Sequence, residues 1–150
     1  MIGRPVTCAL AVCVALLCAA PAGADTKLQI KYQKYKLKNG LEVILHEDHR
    51  LPLVAVSIWY HVGGFHETKG RSGFAHLFEH MMFQGSAHVG DDKHFAILKE
   101  LGASFVNGTT SFDRTNYLET VPARQLETAL WLESDRMGFL LNSLSKKKLD

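Results

Sequence analysis

His76-Leu77-Phe78-Glu79-His80 puts two imidazoles and a carboxylate within five residues. On a helix turning about 100° per residue, His76 and His80 lie about 40° apart and Glu79 about 60° to the other side of His76, so one face carries all three. Two histidines one turn apart can converge their nitrogens on a single zinc ion at about 2.0–2.1 Å, with the Glu beside a metal-bound water. Zinc lowers the pKa of that water from about 15.7 to about 7, and a neighbouring carboxylate can take the proton and hand it to a leaving amine. The plainer alternative is a solvated helix with incidental histidines. Phe74, Leu77, Phe78, Met81 and Met82 fall on the opposite half of the wheel and are expected to bury.

The elements that must position this motif read as follows. Tyr32 to Leu37 and Leu41 to Leu45 flank Asn39-Gly40, a hairpin signal, and Leu53 to Tyr60 is a third strand. A glycine-containing loop, 62–71, leads to Ser72, the expected N-cap of a helix from about Gly73 to Gln84. A second helix is expected from Asp91 to about Leu101, stopped by Gly102. Ala103 to Thr110 and Arg114 to Val121 read as a second hairpin. Pro122 then opens a long helix to about Leu141, with Leu126, Leu130, Met137 and Leu141 on its apolar side. Hairpins in place of βαβ crossovers imply an α+β fold, an antiparallel sheet with helices packed on it.

Composition bounds the rest. The 150 residues are 47% hydrophobic and 21% charged with net charge +2, which excludes a disordered or low-complexity chain. The basic residues are scattered, so no nucleic-acid footprint is indicated. Residues 1–24 combine a charged start, an apolar run and Ala22-Gly23-Ala24, the pattern of a secretory signal peptide too short for a stable membrane anchor. All three cysteines, Cys8, Cys13 and Cys18, fall inside it, so a mature chain of residues 25–150 lacks disulfides and export to the periplasm or beyond is expected. The histidines outside the motif, His94 among them, are expected to be solvated.

The run Gly73 to Ser86 resembles the active-site helix of the inverzincin metallopeptidases, the pitrilysin, insulin-degrading enzyme and mitochondrial processing peptidase family. The likeness extends in order through Leu37 to Leu41, Val54 to Gly64, Asn107 to Tyr117, Val121 to Leu130 and Asp135-Arg136-Met137, covering most of 31–141. It implies a zinc-dependent endopeptidase with His76 and His80 as ligands of one Zn2+ and Glu79 as general base. It also implies that Asn107 lies on a strand whose edge pairs with an extended peptide substrate, although the usual Ala after that Asn is Gly108 here. The residue itself could equally sit in a turn.

The family takes a third ligand, a Glu, from a downstream helix, and alignment puts that position just past Asp150. The chain is therefore expected to be the N-terminal portion of a longer peptidase, weak in zinc affinity by itself, with a second similar domain or subunit as partner. Glu119, Glu127, Glu133 and Asp135 do not stand in that position and are expected on solvated faces. The competing reading is a catalytically silent binding or assembly subunit of the same family. A zinc hydrolase acting on something other than peptides is a further one.

Overall fold

The computed structural model describes residues 29–149, so the leader expected over residues 1–24 lies outside the described residues. The chain divides into two compact units, Met1–Asp48 and His49–Asp150. In the first, β1 (Gln33–Lys36) and β2 (Glu42–Leu45) pair antiparallel from Gln33↔Leu45 to Lys36↔Glu42. Gly40 takes φ 91°, its N–H donates to the Leu37 carbonyl at 2.9 Å, and Asn39 Oδ1 accepts from Leu41 N–H at 3.1 Å. The Asn-Gly pair thus closes the hairpin because only glycine adopts that backbone freely.

The second unit runs β3 (Leu53–Tyr60), a 3-10 turn Gly64–His66, α1 (Phe74–Met81), α2 (Lys93–Glu100), β4 (Phe105–Thr110) and β5 (Thr115–Pro122). A second 3-10 turn, Ala123–Gln125, leads into α3 (Leu126–Ser143) and the short α4 (Lys146–Leu149). The strands form an antiparallel sheet ordered β3-β5-β4, and the architecture is α+β. Strand alternation fixes one inner face: Val54, Val56 and Ile58 pair with Val121, Glu119 and Tyr117, and the last two register in turn with Val106 and Gly108. On that face Val56, Val89, Leu98, Val121, Ala129 and Leu132 form one core cluster, and Met82, Phe83, Tyr117 and Leu140 a second.

Two expected helix faces differ from what is observed. On α1, Met81 is buried, and Met82 and Phe83 just past its end anchor it, but Phe74, Leu77 and Phe78 stay exposed. On α3, Leu126, Leu130, Met137 and Leu141 point outward, and the inward stripe is Ala129, Leu132, Glu133, Arg136 and Leu140. That stripe has helical spacing but is partly charged; a hydrophobicity pattern misplaces it because Glu133 and Arg136 neutralise each other and so tolerate burial. Helix α1 is also shorter than expected, since the chain turns at Gly85, φ 101°, where a Cβ would sit 2.6 Å from the Val89 carbonyl oxygen.

Candidate metal centre

Helix α1 lies against the inner face of β4 and β5. Its start is not capped by Ser72. Gly73 is the N-cap, in the left-handed region, and the Glu67 carboxylate reaches up from the preceding loop to accept the N–H groups of Gly73 and Ala75, each at 2.8 Å. A carboxylate there satisfies orphan donors and faces the positive end of the helix. The Ala75 and Gly73 N–H groups hold the Glu67 carboxyl below its ordinary range.

His76 and His80 project together from the exposed side of α1, with their Nε2 atoms 3.1 Å apart. Two nitrogens each ~2.05 Å from a tetrahedral zinc would be ~3.3 Å from one another. The pair therefore fits one zinc ion without a change of backbone, provided both rings carry their protons on Nδ1. Zinc at such a site supplies a Lewis acid that makes water acidic enough to ionise near neutrality.

Glu79 turns the other way round the helix, inward, and is 8% exposed. Its Oε2 accepts a hydrogen bond from Thr110 Oγ1 at 2.5 Å. Gly108 faces the same side chain: a Cβ there would stand 3.1 Å from Glu79 Oε1, 3.2 Å from its Cγ and 3.0 Å from Phe83 Cε2. Glycine at 108 is thus the residue that leaves room for the carboxylate. Asn107 is in β4 opposite Leu118, not in a turn, and by strand alternation its side chain is on the face away from Glu79. β4 is an edge of its sheet among the described residues.

The acidic residues expected on solvated faces are, apart from Glu127, buried. Among the described residues, the group of three donors able to hold an ion is His94, Glu119 and Glu133, with ligand atoms within 4.8 Å of one another, and it includes neither motif histidine. Helix α2 turns His94 inward to 1% exposure, and burial pushes its pKa down to about 3. Burial, then the charge of Glu133, pushes Glu119 up to about 8. Arg136, 2% exposed, donates from Nε to Glu133 Oε2 at 3.0 Å and from Nη2 to Oε1, and its guanidinium lies 4.2 Å from the Tyr117 ring centroid. That guanidinium already supplies the positive charge a metal would bring, so the cluster reads as a buried ion network.

Asp135, also buried, accepts from Ser86 Oγ and binds His88 Nδ1 at 2.6 Å, tying the loop after α1 to α3. Burial works to raise its pKa, but the bonds from Ser86 and His88 outweigh that and hold it low. Sequence reading missed Glu67, Thr110 and this loop clamp because each acts on a partner many residues away. The signal within reach was the charged spacing Glu133-x-x-Arg136 on an otherwise apolar helix.

The chain has counterparts among known proteins. The family model described as insulinase, peptidase family M16, matches residues 42–143. A zinc protease named PqqE from Helicobacter pylori is 33% identical over 111 residues, 73% of this chain and 25% of that protein. An insulin-degrading enzyme homolog from Dictyostelium discoideum is 37% identical over 100 residues, 67% of this chain and 10% of the relative. The crystal structure of a protease from Helicobacter pylori superimposes with TM-score 0.74 at 31% identity, covering 80% of this chain and 28% of that one. The periplasmic protease PqqL from Escherichia coli gives 0.72 at 25% identity, covering 81% and 14%. The chain thus spans about a quarter or less of the curated relatives described here. With a matching fold and a family match over most of its length, the chain belongs to the insulinase family of peptidases, M16.

Proposed function

We propose that this chain carries the zinc-binding helix of a metalloendopeptidase, in which His76 and His80 hold one Zn2+ and Glu79 serves as general base. The observation that carries the reading is the 3.1 Å separation of the two Nε2 atoms on the helix that also bears Glu79, whose carboxylate is held by Thr110. A third zinc donor would be a Glu from a downstream helix, as the family likeness implies; among the described residues, no group of three donors includes His76 or His80.

In this mechanism Glu79 accepts a proton from the attacking water and returns it to the departing amine. Thr110 holds the carboxylate through Oε2. The buried position of Glu79 limits competition from bulk water, and Gly108 leaves room for the carboxylate. An extended peptide would add to the free edge of β4, near Asn107, through main-chain hydrogen bonds, a mode that recognises backbone more than side chains. A second similar domain or subunit would close over the peptide, and residues 1–24 would direct export, in keeping with the periplasmic location of the PqqL relative.

The test is peptide cleavage by the gene product containing this chain. Glu79→Gln should lower kcat by about 100-fold or more, and a zinc chelator should abolish turnover. Cleavage that survives both would overturn the mechanism.

A further inference from the structure

The geometry points to Glu67 as a positioning residue for the metal: its negative charge at the start of α1 offsets the positive end of that helix, beside which a zinc ion on His76 would lie. This rests on the metallopeptidase reading above. His76 is the third residue of α1, so a cation on its imidazole stands next to the first helical turn. Aligned peptide dipoles leave roughly +0.5 of an elementary charge at that end, a surrounding that favours anions and repels a dication. The Glu67 carboxylate reverses this, accepting from Gly73 N–H through Oε2 and from Ala75 N–H through Oε1, each at 2.8 Å. Glu67 and His76 also line one cavity, about 390 Å³, so the anion and the zinc-ligand candidate face the same space.

A helix start needs no charge to satisfy its donors, since a neutral Ser, Thr or Asn at the cap position does so. Here Ser72 stands beside the cap, yet the acceptor is a carboxylate six and eight residues back, on a loop that must itself be anchored. The anchor is made of backbone: Gly64 N–H donates to the Ser111 carbonyl at 3.1 Å and Phe65 N–H to the Phe112 carbonyl at 2.7 Å. Gly63 permits that approach, because a Cβ on it would run into the Ser111 carbonyl oxygen and come within 2.8 Å of Arg114 N. Thr110, the residue just before this turn, holds Glu79. One end of the β4–β5 hairpin thus fixes both carboxylates relative to the metal helix.

The charge is also free to act on a metal. The Ala75 and Gly73 N–H groups keep the carboxyl ionised, and among the described residues no cationic side chain pairs with it. A carboxylate already spent in an ion pair would contribute little field at the cavity. A purely structural cap and a charged one then differ in a measurable way. The hydrogen bonds order the helix at any ionic strength, whereas the attraction between Glu67 and a dication in an open cavity is screened as the Debye length falls from about 30 Å at 0.01 M salt to about 3 Å at 1 M.

The experiment measures Zn2+ affinity of the gene product containing this chain, by competition with a chromophoric chelator, at low and high salt, with circular dichroism of the metal-free proteins to establish folding. Glu67→Gln keeps the length and one acceptor but loses the charge, and should bind zinc roughly 10-fold more weakly at low salt. The gap from wild type should narrow to about threefold or less at high salt. Glu67→Asp retains the charge and should stay within about threefold of wild type at low salt. Equal affinity in a folded Glu67→Gln variant, or a loss of the same size at both salt concentrations, overturns the charge role and leaves Glu67 a helix cap. If Glu67→Gln fails to fold, Glu67→Asp decides: affinity within about threefold of wild type supports the proposal and a larger loss overturns it. Wild-type zinc binding that is indifferent to His80→Ala overturns the metallopeptidase reading itself.

Discussion

Arg136→Met tests the buried ion network most directly. The substitution keeps an unbranched stem in place and removes one charge, two hydrogen bonds to Glu133, and a cation packed on Tyr117 and, at 5.2 Å, on Phe83. Glu133 is then left buried without its partner, next to Glu119. Breaking a buried pair by removing one member costs about 3–5 kcal/mol, which for a unit of this size lowers Tm by more than ~10 °C. The loss should depend on pH. Glu119 already titrates near 8, above the ordinary carboxylate value, so its favourable contribution is present at acid pH and disappears as pH rises through about 8. Removing Arg136, which lowers the pKa of both Glu119 and Glu133, raises both further. Protonation then relieves the variant at pH 5 but not at pH 8, so urea unfolding should show a larger deficit at pH 8. The double variant Glu133→Leu/Arg136→Met, which removes both charges, should recover most of the stability. A deficit of less than ~1 kcal/mol, or one equal at both pH values, would refute the network as drawn.

Gly63→Ala should cost about 1–3 kcal/mol or more by denaturant unfolding, because the new methyl meets the backbone of the β4–β5 turn and not a yielding side chain; a neutral substitution would mean the loop does not dock there. Asp135→Asn weakens the clamp on Ser86 and His88 and should cost about 1–3 kcal/mol at pH 7. Since the wild-type carboxyl is held below its ordinary range, that advantage should shrink as pH falls toward 3, and an unchanged difference in acid would count against the assignment. Thr110→Val should lower kcat about tenfold with KM little altered, as the Glu79 carboxylate loses the donor that positions it; unchanged kcat would remove Thr110 from the site. His80→Ala should weaken zinc binding at least 100-fold in a competition titration, and equal affinity would place the metal elsewhere.

The sequence by itself determined the features whose partners are close along the chain. The Asn39-Gly40 hairpin, the i,i+4 pair His76 and His80, and the α+β order of hairpins and helices depend on local backbone preference and on spacing within one turn or one strand pair. The family likeness was legible for the same reason, as an ordered run of such local patterns. Tertiary structure decided where each face points. Glu79 is buried because Thr110, 31 residues on, offers its hydroxyl and Gly108 offers space. Glu67 replaces Ser72 as the cap of α1 from eight residues before Ala75. On α3, the charged Glu133 and Arg136 go inward and Leu126, Leu130, Met137 and Leu141 go outward, against hydrophobicity. A residue's cost of burial depends on who satisfies its charge and hydrogen bonds, and that partner is assigned when distant segments pack.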